Sequence, residues 1–324
     1  MADSGTELLA ADGDVILVVG PEKKCIRVCS VTLSRASSVF AALFGPQFRE
    51  GQQARSSSAP VDIALPDDDA DDFLFVCRVL HFRTPRLEEA GLKEGAKKLL
   101  SLAIVVDKYA LTHAFMYAAR TLMTIWLDSH HQNIFTDDCN VAKIATAAYL
   151  FDEPHCFKLA TRRLIKDTNS NITLLCTQDC AQLLPTQVLV GIAECRNKTL
   201  NCISERIACH ELDEDVCDAC SKASITYYDT LRKFWHAESP TLRRNLNNNS
   251  EFTITYHIEK LRSIADEVYE SGEGCSQLCH ICHNSIPCIQ FYDIAAEAEE
   301  ESAGFCLMCV KSNANVLGTC TNRH

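Results

Sequence analysis

A strand–turn–strand segment near the amino terminus constrains the fold of this chain more than any other feature. Its first run, Val15–Val19, contains four β-branched residues among five, and the turn-forming segment Gly20–Lys24 follows it. In the second run, Ile26 and Val28 share one face while Arg27 lies on the other, as a half-buried strand requires. The pattern therefore predicts two neighbouring strands joined by a turn.

The residues after the second strand predict a capped helix. Ser37 is of the type that accepts a hydrogen bond from the first turn of a helix. Behind it, an apolar stripe recurs at helical spacing: Val39, Phe40, Leu43 and Phe44.

These elements and their residues resemble the opening of the BTB/POZ domain. The matching segments are Asp14-Val15, Val28-Cys29-Ser30, Leu33 to Phe40 and Phe48 to Gly51, and later Asp107-Lys108-Tyr109 resembles the Ala-Asp-Lys-Tyr signature of that family. The family usually has histidine at the position of Cys29, so a role of that histidine does not transfer to this chain. The resemblance covers residues 10–128. It implies a small β-sheet clasped by α-helices that serves as a protein-binding scaffold and not as an enzyme.

The middle of this region predicts a further strand and helix. The segment Arg49 to Pro60 is typical of a loop, and Val61 to Leu65 then alternates like a short strand. An aspartate run, 67–72, suits the start of the next helix because negative charge is favourable there. That helix has Phe73 on its apolar face, and the family resemblance implies a short strand after it, near His81 to Thr84.

The remainder of the chain predicts helices and a Cys/His-rich tail. We expect a helical extension over residues 138–240, and over residues 251–324 a helix followed by a zinc module, so the fold class is α+β overall. A long helix is predicted from Thr186 to about Glu211. Within it, Cys195, Cys202 and Cys209 recur every seven residues along one side, and packing as small buried residues accounts for the first two.

Composition excludes several classes of protein. The formal net charge of −12 over 324 residues argues against a general nucleic-acid binder, which must neutralise phosphates. No stretch reaches the roughly 18 apolar residues of a membrane span. The acidic, polar start lacks the pattern of a signal peptide, which predicts an intracellular protein of the cytoplasm or nucleus. In that compartment, most of the 19 cysteines are expected to be thiols or metal ligands.

Paired cysteines in the last third of the chain predict a structural zinc site. Two thiolates separated by two residues can bind one tetrahedral ion. Cys279/Cys282 and Cys306/Cys309 are separated by 23 residues, and an acidic loop, Glu297 to Glu301, is expected to absorb the excess over the usual spacer. The preferred hypothesis is therefore a four-thiolate Zn²⁺ site formed by Cys279, Cys282, Cys306 and Cys309.

A second, weaker candidate site lies upstream of this pair. Cys217 and Cys220 form another C-x-x-C pair, which Cys209 and His210 could complete as a zinc site. The alternative for Cys217 and Cys220 is a pair of free thiols at a helix–loop junction.

The sequence lacks two common catalytic motifs and so gives little support to an enzymatic function. The chain has neither a phosphate-binding G-x-x-x-x-G-K-[ST] loop nor a G-x-S-x-G nucleophile elbow. We therefore expect an interaction protein whose BTB-like domain binds a protein partner or another copy of itself. One hypothesis is an adaptor for a cullin-type ubiquitin ligase, whose cullin binding would be lost when the Phe73 face is charged. The other is a RING-like zinc module with its own ligase activity.

Overall fold

The computed structural model describes residues 5–83, 95–129, 138–168, 179–208, 253–271, 287–312 and 320. A small four-stranded sheet lies near the amino terminus, and the rest of the described chain is mostly helical, which confirms the α+β class. The chain divides into two compact units, residues 1–157 and residues 158–324.

The sheet of the first unit combines parallel and antiparallel pairs. Its strands are β1 (Glu7–Leu8), β2 (Val15–Val19), β3 (Lys24–Val28) and β4 (Val61–Leu65), in the spatial order β1-β3-β2-β4. Strand β2 is antiparallel to β3 and parallel to β4, so that Leu17 lies opposite Ile26 on one side and Ile63 on the other. All three side chains are buried, which confirms the predicted strands and their inward faces.

Helices account for most of the remaining described residues of the first unit. They are α1 (Ser30–Ala36), α2 (Ser38–Leu43), α3 (Arg49–Gln52), α4 (Ala70–Leu80), α5 (Gly95–Lys108), α6 (Thr112–Ser129) and α7 (Asp138–Leu150). Helix α8 (Pro154–Lys166) begins in the first unit and ends in the second.

Side-chain caps fix the starts of two of these helices. Ser37 is the N-cap of α2, and its Oγ accepts a 3.0 Å hydrogen bond from the backbone N–H of Phe40. Asp69 caps α4 in the same way by accepting from the N–H groups of Asp71 and Asp72. Because each cap satisfies donors that the helix itself leaves unpaired, both helices begin where the sequence predicts.

Two local predictions in this unit are wrong. The segment predicted as a loop from Arg49 opens with the short helix α3. No strand forms over residues 81–83, because the backbone N–H of Phe82 bonds to Val79 and that of Arg83 to Arg78. These two bonds close the end of α4, with Phe82 at the left-handed position (φ 55°) that follows many helix ends. Thr84 lies outside the described residues.

The described part of the second unit is mostly helical. After the end of α8 it contains a 3₁₀ turn (Asp179–Leu183) and the helices α9 (Thr186–Ala208), α10 (Ile254–Ser271), α11 (Pro287–Glu301) and α12 (Leu307–Lys311). Within α9, Cys195 is buried, and its thiol donates a hydrogen bond to the carbonyl oxygen of Glu301. Cys202 is half-buried, and Cys209 lies outside the described residues.

Helix α11 corrects the prediction of an acidic loop. Glu297 to Glu301 form its last turn and a half, and are not a loop. From residue 291 onwards, the buried positions of α11 recur at helical spacing and are Phe291, Ile294, Ala295 and Ala298. Burial of this stripe favours the helix through its acidic end. None of the described helices combines the length and the apolar character that crossing a membrane requires.

Candidate metal centre

Three cysteine thiols lie together at the end of the second unit. The sulfur atoms of Cys306, Cys309 and Cys320 are all within 4.8 Å of one another, and those of Cys309 and Cys320 are 3.5 Å apart. Cys309 is buried, Cys306 is half-buried and Cys320 is exposed. The cluster therefore lies at the surface, with one sulfur turned into the protein.

The first turn of helix α12 brings two of these thiols together. Cys306 is the N-cap of α12, and its carbonyl oxygen accepts a 3.1 Å hydrogen bond from the N–H of Val310. Cys309 follows three residues later, and residues at this spacing are neighbours on a helix surface. Leu307 and Val310 of the same turn are buried and anchor it in the protein. The C-x-x-C spacing thus determines the proximity of Cys306 and Cys309 locally.

Contacts with α8 and α9 hold this turn in place. The N–H of Phe305 donates a 2.9 Å hydrogen bond to Oγ1 of Thr161, and the phenyl ring of Phe305 is buried. On the other side, the side-chain amide of Gln187 donates to the carbonyl oxygen of Val310 at 3.0 Å. The backbone that positions Cys306 and Cys309 is therefore bonded to two other helices of the same unit.

A glycine makes the close approach to α8 possible. Gly304 has φ +88°, and a Cβ atom at this position would lie 2.2 Å from the carbonyl oxygen of Lys158. Any L-residue would therefore be strained at this position and would also clash with backbone. Gly304 thereby sets the path of the chain two residues before Cys306.

The thiols differ in acidity. Burial disfavours the thiolate of Cys306, but hydrogen bonds from the Cys309 backbone, the Cys320 and Cys309 thiols and the Met308 backbone outweigh it and lower the pKa of Cys306. The hydrogen bond with Cys320, together with burial and the neighbouring Cys306, raises the pKa of Cys309. A bound cation would reverse the second effect, since metal ions deprotonate the thiols that bind them.

This set of donors suits a thiophilic metal ion. Thiolates favour ions such as Zn²⁺ and Cu⁺ over Mg²⁺ or Ca²⁺, which prefer oxygen ligands. Around tetrahedral Zn²⁺, with Zn–S bonds of about 2.3 Å, sulfur atoms lie about 3.8 Å apart. The sulfurs of Cys309 and Cys320 are 3.5 Å apart and all three lie within 4.8 Å of one another, so the cluster could hold a metal ion.

The structure places only part of the predicted ligand set. Cys306 and Cys309 lie together as their spacing predicts, whereas the prediction omitted Cys320. Cys320 belongs to no C-x-x-C pair, and its position eleven residues after Cys309 gave no local indication of contact. The other predicted ligands lie outside the described residues: Cys279, Cys282, Cys209, His210, Cys217 and Cys220.

Comparisons with known proteins add no family assignment. The chain matches no protein-family model, no curated protein and no solved structure.

Proposed function

We propose that this protein is a BTB/POZ-type interaction scaffold, and specifically an adaptor that binds a cullin-type ubiquitin ligase, rather than an enzyme. The proposal rests on the resemblance of residues 10–128 and on how the residues of that resemblance pack. Three separated parts of the resembling region meet in one core, which is the single observation that supports the proposal most.

Aromatic packing joins these separated parts. The ring of Tyr109, from the Asp-Lys-Tyr motif, stacks on Phe40 of the first motif with centroids 4.9 Å apart and planes 4° apart. Phe73 of α4 meets the ring of Tyr109 edge-on at 5.2 Å. Ser37 Oγ also donates a 2.5 Å hydrogen bond to the carbonyl oxygen of Tyr109. Residues of separate motifs thus pack against one another in the core, as expected where the motifs specify a fold.

The surface of this unit offers apolar side chains for a partner. Among the described residues of this unit, the most exposed large apolar side chain is Phe82, at 94% exposure, beside the end of α4. Phe73, by contrast, is buried, so charging that face of α4 would disrupt the core and could not report on binding. Aromatic residues, phenylalanine among them, are enriched at protein–protein interfaces relative to the rest of the surface. Phe82 therefore replaces the Phe73 face as the position to mutate.

Binding to purified cullins tests the adaptor proposal. The full chain should co-elute with at least one member of a panel of cullins in size-exclusion chromatography. Phe82→Asp should weaken that binding at least about tenfold, which corresponds to ~1.4 kcal/mol. Val31→Asp, at a half-exposed apolar position on α1, is the matched control for an added charge. If the wild-type chain binds no cullin of the panel, the adaptor proposal is wrong.

We propose Zn²⁺ as the ion of the thiol cluster, with Cys306 and Cys309 among its ligands and with a structural role. The donors and their spacing support this choice. Metal analysis of the full chain should find zinc, and the double variant Cys306→Ser/Cys309→Ser should lose one equivalent. The variant Cys25→Ser, in the first unit, is the control. The RING-like alternative, in which the tail itself is a ubiquitin ligase, predicts autoubiquitination in a reconstituted reaction.

A further inference from the structure

Cys320 supplies a third sulfur to a pair of thiols that the C-x-x-C motif already brings together. Its sulfur lies 3.5 Å from that of Cys309, and all three sulfurs fall within 4.8 Å of one another. We propose that Cys320 is a ligand of the same zinc ion as Cys306 and Cys309. This inference rests on the zinc site of the proposed function and extends it to a residue outside any motif.

The arrangement of three sulfurs favours a metal over a disulfide. A disulfide joins two sulfurs at about 2.05 Å and leaves a third with no role. One ion at bond lengths of about 2.3 Å can instead contact all three sulfurs when these are about 3.8 Å apart. Because the three sulfurs already lie within 4.8 Å of one another, small shifts of their side chains would bring all of them to that spacing.

The rigid part of the site is already formed. Phe305 bonds to Thr161, Gln187 bonds to Val310, and Gly304 lies against the Lys158 carbonyl. Two ligands therefore lose little conformational freedom when an ion binds, and only the side chain of Cys320 has to be fixed in addition. Because two thiols are already positioned, the loss of conformational entropy on forming a three-thiolate site is small.

A three-thiolate site leaves room for at most one of the other two predicted ligands, Cys279 and Cys282. Tetrahedral zinc has four positions, and the thiols of Cys306, Cys309 and Cys320 fill three of them. One position then remains for a donor from elsewhere in the chain or for solvent. Cys279 and Cys282 therefore cannot both bind this ion in a four-coordinate shell. The four-thiolate hypothesis and the present inference make opposite predictions for Cys320.

Substitution of Cys320 in the full chain tests the inference. Zinc content is measured by elemental analysis, zinc affinity by competition with a chromophoric chelator, and thiolate ligation by the sulfur-to-metal absorption of the Co²⁺-substituted protein. Cys320→Ser should weaken zinc binding by more than the roughly 10–100-fold that loss of an outer-shell partner costs. Cys320→His, which keeps a donor that zinc accepts, should restore most of the zinc binding and reduce the sulfur-to-cobalt absorption.

The controls separate this inference from the proposals above. Cys25→Ser should bind zinc like the wild type. If Cys320→Ser retains wild-type zinc affinity and cobalt absorption, Cys320 is not a ligand, while zinc bound by Cys306 and Cys309 can still stand. If the wild-type chain takes up neither Zn²⁺ nor Co²⁺, both the inference and the zinc site are wrong. Cullin binding by the first unit is measured separately and is affected by neither result.

Discussion

The phenolic hydroxyl of Tyr109 donates a 2.6 Å hydrogen bond to Oδ2 of Asp68, a buried carboxylate 41 residues earlier in the chain. Lys108 Nζ lies 2.8 Å from the other oxygen of the same carboxylate. Burial and the hydrogen bond to Asp68 raise the pKa of Tyr109, so the phenol stays protonated and remains the donor. The start of α4 and the end of α5 are thereby joined through one carboxylate.

Removing this hydroxyl should destabilise the first unit. Tyr109→Phe keeps the ring stacked on Phe40 but deprives buried Asp68 of a donor, which should cost about 1–3 kcal/mol of unfolding free energy. Unfolding in urea is followed by the fluorescence of Trp126 in a Trp235→Phe background, in which Trp126 is the sole tryptophan. Tyr117→Phe, at a position that is 76% exposed, is the control and should change stability by less than about 0.5 kcal/mol. Equal midpoints for the two variants would contradict the role of Asp68.

Glu299 should make the stability of the second unit fall at acid pH. Its carboxylate contacts Arg162 and Lys166 at 2.5 Å and Arg262 at 3.0 Å, so α8, α10 and α11 meet at one residue. Burial opposes its ionisation, but hydrogen bonds and charge from Lys166 and Arg162 outweigh it and lower the pKa of Glu299 to about 2. The contribution of Glu299 to the stability of the folded unit is therefore complete at pH values above 4.5, the usual pKa of glutamate. It is lost as the pH falls through about 2, the lowered pKa of Glu299.

Glu299→Gln should remove this pH dependence. Because two of the three cations are substantially exposed and screened, we expect a loss of about 1 kcal/mol at neutral pH. Urea unfolding followed by circular dichroism between pH 2 and 5 should show a smaller slope of stability against pH than the wild type. Glu300→Gln, at the adjacent exposed position, is the matched control. A slope unchanged by Glu299→Gln would show that other carboxylates cause the acid sensitivity.

Gly304→Ala should disturb the turn that leads into the thiol cluster. The added methyl would lie 2.2 Å from the Lys158 carbonyl oxygen, at a φ of +88° that L-residues rarely adopt. We expect a destabilisation of more than about 1 kcal/mol and faster amide exchange at Phe305, which hydrogen-exchange mass spectrometry would detect. Gly5→Ala makes the same change where no atom lies within 4 Å and should be neutral. Unchanged exchange at Phe305 would contradict the clash.

Removal of zinc should lower the thermal stability of the protein. An ion that binds only the folded state stabilises it by about 2.7 kcal/mol when its free concentration is 100 times Kd. A strong chelator should therefore lower the unfolding temperature of the wild type in differential scanning fluorimetry, and added zinc should restore it. The variant Cys306→Ser/Cys309→Ser should not respond to either addition. An equal response of this variant would place the stabilising metal elsewhere.

Several local features could be predicted from the sequence because neighbouring residues suffice to specify them. A run rich in β-branched residues specifies the strand Val15–Val19, and alternation of apolar with polar or small residues specifies the strand Val61–Leu65. Ser37 and Asp69 bond to backbone donors within three residues of themselves, so their caps follow from local chemistry. The same holds for Cys306 and Cys309, which one helical turn brings together.

Local patterns gave wrong predictions where burial depended on neighbouring elements of the fold. Val39 belongs to the apolar stripe of α2 in the sequence, yet it is 38% exposed, because α2 buries mainly Phe40 against the rest of the core. The acidic end of α11 looked like a loop because five residues of high charge suit one. Burial of Ile294 and Ala298 within the second unit, together with cations around Glu299, favours the helix instead.

By itself, the sequence determined strands β2, β3 and β4, the Ser37 cap and the close pair of thiols, since each depends on spacing within a few residues. Only the tertiary structure decided that Asp68 meets Tyr109 and that Cys320 joins Cys306 and Cys309. Contacts between distant residues depend on how whole elements pack, and this packing is set by the sum of many buried contacts and not by any short motif.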